Sequence, residues 1–511
     1  MAHERRKIYI IVHELGAAGR AGAILDQCHM FLDLGLTPVI VTFKYEPDYD
    51  RRIRERRGAN AIPEGAETLN IHKDLASRLT QDPTADWSRA EDEDTTGLTV
   101  SETKSGDKVD FHYLDSRGRL VKHRQTVDGS TVRTTYYALG APHLVRQYDE
   151  AGFCGHETSL DIATGSMLEE RFFTPEGHCY ATRHLKVTTG KQDGAFQHDP
   201  LNGTSIRYGH NTPWHTAWLN DVLTNTYPKP LAIAEQPSSM LKLLATDPDA
   251  SDRLYMCHAN VFKAPYVVGS GLRDDYGPPL KRLDEMPVMV VLTEKQKQDF
   301  RETFGSSRNV VVIPNVMRDK SGVADPQKVH GRIGVASRLV AEQKRLDDLL
   351  HIWKIVADAV PHAHLDICGG GPDRPHLEAL TRELGIEDRV TFQGWVKNGA
   401  EFMAGCVATV NTSRHEGLPL SIGESLASGT PVVAYDINYG PSDLIRDGVD
   451  GYVVPDTDRG AFAQALIRLL NDEKAAKQMG KNAARRMGAE YSAQSITRRW
   501  KKAFALAGRR A

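Results

Sequence analysis

The sequence predicts an α/β protein of two Rossmann-like domains that face a cleft, with an antiparallel β insertion in the first domain. Three observations carry this prediction. Short apolar runs that end in glycine or polar residues recur in both halves of the 511-residue chain, as in buried parallel strands. Residues 80–210 instead alternate polar and apolar side chains between frequent turn signals, and residues 317–331 form a polar linker. The predicted segments are residues 1–79 and 211–316 for the first domain, 80–210 for the insertion, 317–493 for the second domain, and 494–511 for a C-terminal helix that packs back on the first domain.

The first segment has the order strand, glycine turn, helix, strand. Ile8 to Val12 is followed by Gly16 and Gly19, and a second apolar run covers residues 39–41. Glycine turns at a helix start can turn backbone NH groups toward phosphate, although the same glycines also serve a tight turn alone. A nicotinamide-dependent oxidoreductase is the competing enzyme class, but the Gly-x-Gly-x-x-Gly order and the acidic ribose partner are both missing.

The insertion is predicted to consist of β-hairpins. Its turn signals stand at Gly118, Asp128-Gly129, Gly152, Gly165 and residues 175–177. Exposed strand edges and aromatic side chains suit an oligomer contact or an acceptor surface, and solvent-facing strands are the alternative. Basic clusters at residues 122–124 and 183–186 are candidates for a track that follows a phosphate-rich acceptor.

In the second domain, candidate binding residues follow the predicted strands. Arg338 and Lys344 come just after the first strand, where two cations would neutralise a diphosphate and stabilise it as a leaving group. Gly370, within residues 369–372, and Gly394 follow later strands, where glycine lets the backbone approach a flat or anionic group closely.

The segment around residue 420 is the most informative. Glu416 lies in a loop, and Glu424 lies on the second turn of a helix predicted to begin after Pro419. The free NH groups at that helix start would face a phosphate, and the two carboxylates would each accept hydrogen bonds from sugar hydroxyls. The spacing therefore suits a nucleotide sugar, whereas a surface loop before an ordinary amphipathic helix is the simpler interpretation.

Together these motifs resemble the retaining glycosyltransferases of family 4, which have the GT-B fold. The resemblance rests on Ser337-Arg338-Leu339, Lys344, residues 369–372, residues 416–424 and Gly429-Thr430-Pro431-Val432-Val433. Residues 435–443 and the β insertion are similar to a narrower branch. That branch contains wall teichoic acid α-glycosyltransferases acting on poly(ribitol phosphate) or poly(glycerol phosphate), and enzymes that add N-acetylglucosamine to serine-rich adhesins.

The resemblance implies a role for each matched residue. Arg338 and Lys344 would hold the diphosphate, Glu424 the ribose hydroxyls and Glu416 the donor sugar. The loop Gly417-Leu418-Pro419-Leu420 would lie against the phosphates and the sugar with its available backbone NH groups. Gly16 and Gly19 match a glycine loop near the donor. His258 matches a histidine beside the reacting carbon, with a core histidine that caps a buried strand as the alternative. The family spaces the arginine and lysine five apart, whereas here they are six apart, so Arg345 is an alternative to Lys344.

Composition limits the partners. With 64 basic and 67 acidic residues, a nucleic-acid partner is not expected. Six cysteines without a CxxC pair indicate a reducing compartment, and no signal peptide or membrane span is predicted, so we expect a cytoplasmic protein. Peripheral contact with the inner membrane surface remains open. The acidic triplets lie in polar loops, so no metal or other cofactor is expected beyond the UDP-sugar donor.

The expected activity is transfer of a hexose or N-acetylhexosamine from a UDP-sugar to a hydroxyl of a cell-wall polymer. The alternatives are N-acetylglucosamine transfer to Ser/Thr of a serine-rich surface protein, and a non-catalytic glycan-binding scaffold. The resemblance also implies a homo-oligomer, such as a trimer, assembled through the insertion. The sequence does not distinguish glucose from N-acetylglucosamine as the donor sugar.

Overall fold

A computed structural model describes residues 5–16, 20–80, 95–305, 309–319, 322, 327–396 and 398–509. The chain divides into two compact units. Unit 1 comprises Met1–Gly16, Phe31–Ala234 and Ser238–Asp252, and unit 2 comprises Ala17–Met30, Glu235–Pro237 and Arg253–Ala511. The predicted domain boundaries divide the chain elsewhere and stay a prediction.

The N-terminal elements alternate between strand and helix. They are β1 (Lys7–Ile11), α1 (Arg20–Asp33), β2 (Thr37–Thr42), α2 (Tyr49–Gly58), β3 (Glu67–Asn70) and α3 (Ile71–Leu79). The Ile and Val side chains of β1 and β2 are buried on both faces, as expected for strands covered by helices.

The insertion is one antiparallel sheet of ten strands, each paired with the next along the chain. Its strands are β4 (Thr99–Ser105), β5 (Lys108–Leu114), β6 (Leu120–Val127), β7 (Ser130–Ala138), β8 (Ala141–Tyr148), β9 (Cys154–Leu160), β10 (Met167–Phe173), β11 (Cys179–Leu185), β12 (Gln192–Asp199) and β13 (Thr204–Tyr208). The predicted turn glycines at 118, 129, 152, 165 and 177 all have positive φ, which glycine adopts without steric cost. The antiparallel β insertion is thus confirmed, while residues 81–94 of the predicted insertion lie outside the described residues.

The chain returns to α/β structure through α4 (Asn211–Thr224), β14 (Leu231–Ala234) and α5 (Pro237–Leu244). Within unit 1 the parallel strands have the order β14-β1-β2-β3. Unit 2 continues with β15 (Asp252–Met256), α6 (Gly277–Leu280), β16 (Met289–Val291), α7 (Glu294–Phe304) and β17 (Val310–Val312). These three strands are parallel, and β17 is an edge strand.

The C-terminal part of unit 2 is a six-stranded parallel sheet with the order β20-β19-β18-β21-β22-β23. Its strands are β18 (Arg332–Ala336), β19 (His364–Cys368), β20 (Val390–Gly394), β21 (Ala408–Asn411), β22 (Val432–Tyr435) and β23 (Gly451–Val454). Its helices are α8 (Ala341–Lys344), α9 (Leu346–Ala359), α10 (Arg374–Glu383), α11 (Gly399–Ala404), α12 (Leu420–Ala427), α13 (Pro441–Leu444), α14 (Arg459–Asn471), α15 (Glu473–Glu490) and α16 (Ala493–Ala507).

The strand order of this sheet fixes where a ligand can bind. The order reverses between β18 and β21, which creates a crevice at the carboxyl ends of these two strands. The core beneath is apolar and closely packed, with Ile333, Trp353 and Leu365 fully buried. Helix α12 begins at Leu420 after Pro419, which confirms the helix start predicted from the sequence. No helix among the described residues is both long enough and apolar enough to cross a bilayer.

Candidate functional site

A cavity of about 840 Å³ opens in unit 2 at this crevice. Eight residues predicted from the sequence line it: His258, Arg338, Lys344, Glu416, Gly417, Leu418, Pro419 and Leu420. The remaining lining residues are Arg20, Ala259, Arg273, Tyr276, Asn315, Ala336, Ser337, Gln343, His415 and Ser421. The structure therefore brings together side chains from three strand exits, those of β15, β18 and β21.

The cavity is positively charged. Four basic side chains contribute to its wall, Arg20, Arg273, Arg338 and Lys344, against one lining carboxylate, Glu416. Arg273 also pairs with the carboxylate of Asp275, at 3.1 Å. The first turn of α12 adds backbone NH groups that have no acceptor within the helix. An anionic ligand with hydroxyl groups fits this combination of cations, helix NH groups and a single carboxylate.

Adjacent residues 344 and 345 have different environments. Lys344 Nζ contacts the carboxylate of Glu416 in the cavity wall. Arg345 is buried and donates to the carbonyl oxygens of Thr412 and Ser413, each at 2.7 Å, and to the carboxylate of Asp456 at 2.6 Å. Arg345 is thus engaged in holding the β21 loop, and the geometry favours Lys344 over Arg345 as the cavity cation.

Arg338 is exposed at the cavity mouth. Its Nη2 donates to the side-chain oxygen of Gln343 at 2.9 Å, so a neutral group orients it and leaves its charge uncompensated there. A backbone hydrogen bond holds the loop that carries Arg338: Leu339 N donates to the Gly370 carbonyl oxygen at 3.0 Å.

The loop at residues 416–419 is held from two sides. A Cβ on Gly417 would lie 1.9 Å from the carbonyl oxygen of His258, so only glycine allows this approach. On the other side, a Cβ on Gly440 would lie 2.3 Å from Pro419 Cδ, and Tyr439 N donates to the Glu416 carbonyl oxygen at 3.1 Å. The loop is consequently clamped between the exit of β15 and the segment after β22.

His258 has a buried partner that sequence reasoning did not identify. Its Nε2 contacts a carboxylate oxygen of Glu235, which is fully buried. The other oxygen, Oε1 of Glu235, has no hydrogen-bond partner among the described residues. The carboxylate fixes the orientation of the imidazole in the cavity wall.

The predicted glycines separate into different roles. In the run 369–371, Gly369 and Gly371 make the close approaches, since a Cβ would lie 1.8 Å from the Ser337 oxygen and 2.2 Å from the Leu339 oxygen respectively. Gly370 has open space around its Cα. Gly394 has φ +70° at the end of β20. Neither Gly370 nor Gly394 lines the cavity.

Three further predicted residues are not among the cavity-lining residues. Glu424 is half-buried on α12. Gly16 belongs to unit 1, where its carbonyl oxygen accepts a hydrogen bond of 2.7 Å from Arg56. Gly19 lies outside the described residues.

Sequence reasoning also missed the loop after β15. Arg273 and Tyr276 line the cavity, and Tyr266 packs against His415 with ring centroids 4.1 Å apart. Burial lowers the pKa of His415, which favours a neutral ring there. This loop has neither helical nor strand periodicity. The one signal in the sequence is that it follows shortly after His258 in the chain.

One group of described residues has the geometry to hold a metal ion, His330, His362 and Glu473. The His330 and His362 rings are stacked 4.3 Å apart. None of the three lines the cavity, so this group does not bear on the chemistry there.

Comparisons with known proteins agree with this architecture. Residues 318–486 match the family model described as "Glycosyl transferases group 1". Over 98% of the chain, the sequence is 21% identical to poly(ribitol-phosphate) alpha-N-acetylglucosaminyltransferase of Staphylococcus aureus (strain COL), covering 99% of that protein. It is 28% identical to poly(glycerol-phosphate) alpha-glucosyltransferase of Bacillus subtilis (strain 168), over 74% of this chain and 56% of that one.

The solved structures show the same fold over the whole chain. The crystal structure of TarM superposes with a TM-score of 0.86 at 20% identity, covering 98% of this chain and 99% of TarM. The pneumococcal O-GlcNAc transferase GtfA in complex with UDP and GlcNAc gives 0.72 at 18% identity, with 99% of both chains covered. The chain therefore has the GT-B fold with an antiparallel insertion, as the sequence predicted.

Proposed function

We propose that this chain, a glycosyltransferase of the GT-B fold, is a retaining family 4 enzyme that moves a hexose or N-acetylhexosamine from a UDP-sugar to a hydroxyl of a cell-wall polymer. Poly(ribitol phosphate) and poly(glycerol phosphate) teichoic acids are the proposed acceptors. The observation that carries the proposal is the cationic cavity built around His258, Lys344 and the clamped loop at Glu416.

The negative charge of the UDP leaving group would account for the basic side chains in the cavity. Breaking the bond between the anomeric carbon and UDP places negative charge on the diphosphate, and Arg338 and Lys344 would stabilise that charge where it develops. Lys344 contacts Glu416 in the structure, so phosphate would compete with this carboxylate for the ammonium group. Glu416 would then turn to hydroxyls of the donor sugar.

The remaining site residues would position the donor. The backbone NH groups of Gly417, Leu418 and Leu420 would contact phosphate and sugar oxygens at the start of α12. Glu424 would accept hydrogen bonds from the ribose, with Gly370 and Gly394 giving room for the nucleotide. His258, oriented by Glu235, would lie beside the reacting carbon.

Retention of configuration is part of the proposal. The names of two relatives specify α-linked products, and a UDP-α-sugar gives an α product only with retention. The cavity wall holds a single carboxylate, Glu416, and it contacts Lys344. A front-face route, in which the departing diphosphate takes the proton of the incoming hydroxyl, needs no second carboxylate and no metal.

We further propose cytoplasmic location, with peripheral contact at the inner membrane surface, and a homo-oligomer assembled through the insertion. A second acceptor class is favoured by the full-length structural likeness to the O-GlcNAc transferase, namely Ser/Thr hydroxyls of a serine-rich protein. The two acceptor classes share the donor chemistry and differ only in the nucleophile.

Release of UDP tests the reaction. The full chain is mixed with UDP-glucose or UDP-N-acetylglucosamine, with poly(ribitol phosphate), poly(glycerol phosphate) or a serine-rich peptide as acceptor. We expect acceptor-dependent UDP release with one polyol phosphate, and an α-linked sugar by NMR of the product. A β-linked product would overturn retention, transfer to the peptide alone would select the second acceptor class, and no release with any pair would indicate a non-catalytic scaffold.

A further inference from the structure

The C-terminal segment has a charge opposite to that of the rest of the chain. Residues 491–511 contain six basic and no acidic side chains, and they change a formal charge of −9 over residues 1–490 into the −3 of the whole protein. A basic segment of this kind attracts an anionic surface over about a Debye length.

Most of this charge lies on α16. One face of the helix is buried through Ile496, Trp500, Ala503, Phe504 and Ala507. The basic side chains lie on the remaining surface: Arg498, Lys501 and Lys502 are exposed and Arg499 is half-buried. No acidic side chain of the described residues pairs with Arg499, Lys501 or Lys502, so these charges are left for a ligand.

Two adjoining grooves run along the same helix. One, of about 480 Å³, is lined by Val311, Val312, Ile313, Arg499, Lys502, Ala503, Ala505, Leu506 and Arg509. The other, of about 570 Å³, is lined by Ser495, Arg498, Arg499, Lys501, Lys502 and Ala505. The first therefore combines cations from α16 with apolar side chains of the edge strand β17.

We propose that the surface formed by α16 and β17 binds an anionic lipid bilayer. The cations would contact lipid phosphates while Leu506 and the apolar edge of β17 face the upper part of the acyl region, as amphipathic interfacial helices do. A soluble polyanion would use the cations and leave the apolar floor without a partner, so the combination favours a lipid surface. The inference rests on the proposed membrane location and names the residues that produce it.

Co-sedimentation of the full chain with vesicles tests the proposal. The probes are phosphatidylcholine vesicles with and without phosphatidylglycerol, at low and at high salt. We expect binding only to vesicles that contain phosphatidylglycerol, with weaker binding in salt. The double variant R499E/K502E should bind these vesicles at least about tenfold more weakly, because each basic side chain near such a surface contributes measurably. Leu506→Ser should reduce the binding that persists at high salt.

The control variant K104E/K191E makes the same change in net charge on exposed strand and turn positions of the insertion, and it should bind vesicles like the unaltered chain. Equal losses for both double variants would mean that net charge alone drives binding, which would overturn the proposal. So would tight binding of soluble poly(glycerol phosphate) without vesicle binding, or a change in oligomeric state by R499E/K502E without vesicle binding. UDP release with a soluble acceptor is measured in parallel, and we expect it to be unchanged in R499E/K502E, so failure here is distinguishable from failure of the proposed reaction.

Discussion

The cavity and the insertion sheet use charged side chains in contrasting ways. In the cavity wall, a neutral amide orients Arg338, whereas Lys344 contacts Glu416 and Arg273 pairs with Asp275 at 3.1 Å. In the insertion, the buried carboxylate of Glu157 pairs with Arg146 at 2.8 Å and with Arg171 at 2.5 Å, and Glu170 pairs with Arg183 at 2.8 Å.

The basic clusters proposed as an acceptor track follow the pattern of the insertion. Lys122 lies over the Tyr113 and Tyr136 rings, Arg124 lies over Phe111, and Lys186 pairs with Asp193. Cations engaged with rings or acids contribute mainly to the sheet. The difference teaches that the cavity keeps a cation, Arg338, whose described side-chain partner is a neutral amide, whereas the basic side chains of the insertion named here are engaged with rings or acids.

Removal of a cavity cation should give the largest effect. Arg338→Ala or Lys344→Ala should lower kcat by roughly a hundredfold to a thousandfold, because the developing diphosphate charge loses a donor. Thermal unfolding of Arg338→Ala should stay near that of the unaltered chain, because Arg338 is exposed and its described side-chain partner is neutral. Arg345→Ala is the matched neighbour: it leaves two carbonyl groups and Asp456 without their donor and should lower the unfolding free energy by roughly 2–4 kcal/mol. Normal turnover in both cavity variants would contradict the assignment.

Gly417→Ala should show how much turnover depends on the position of the loop, because it moves the loop without changing any charge. The added methyl group would displace the loop from His258, and a shift of this kind costs kcat/KM roughly a hundredfold. Gly488→Ala, on exposed α15 with open space around it, is the control and should leave kinetics unaltered. Equal kinetics for the two variants would mean that the clamp is not needed for turnover.

Glu157→Ala should weaken the scaffold alone. Two arginines would lose a buried carboxylate, and because both are partly exposed we expect a loss of about 2 kcal/mol in unfolding free energy. The exposed Glu102→Ala on β4 is the control. A lower kcat per folded molecule at unaltered stability would instead give Glu157 a role in turnover.

Glu235→Gln should affect the orientation of His258. The amide keeps the size of the carboxylate but loses its charge, so we expect kcat to fall about tenfold with KM little changed and an altered pH–rate profile. Glu235→Asp should restore part of the activity. An unaltered pH profile would indicate a purely structural carboxylate.

Asp149→Asn should give the smallest effect, confined to stability. Burial raises the pKa of Asp149 in the insertion to about 6, above the value near 4 of an unfolded chain. Its stabilising contribution is therefore complete below about pH 4 and is lost as the pH rises through about 6. The neutral variant should be more stable by about 1 kcal/mol at pH 7.5 and equal at pH 4, measured by thermal unfolding. Equal stability at both pH values would contradict this.

The fold could be predicted from the sequence, and so could the site residues that directly follow a strand. Arg338, Lys344 and the loop after Glu416 could be predicted because each stands at a strand exit in one continuous sheet. The insertion was predictable because alternation and turn glycines are local signals.

The rest depends on tertiary paths. Glu235 directly follows the buried strand β14, but no local pattern shows that its carboxylate pairs with His258. Arg273 lies in the loop after β15, which has no helical or strand periodicity. Which glycine of residues 369–371 is required depends on the backbone of residues 337–339 that passes over them. Gly370 was the central choice from the sequence, whereas the close approaches belong to its two neighbours.

Arg345 has a left-handed backbone, with φ 47°, and stands between the four-residue helix α8 and helix α9. Non-glycine residues seldom adopt this conformation, and here the buried guanidinium secures it. The backbone of Arg345 thus separates α8 from α9. Lys344 therefore belongs to a single helical turn that α9 does not continue. The number of residues between Arg338 and Lys344 therefore does not by itself set the distance between their charges. A spacing of six residues, one more than in the family, still places both side chains in the wall of the same cavity.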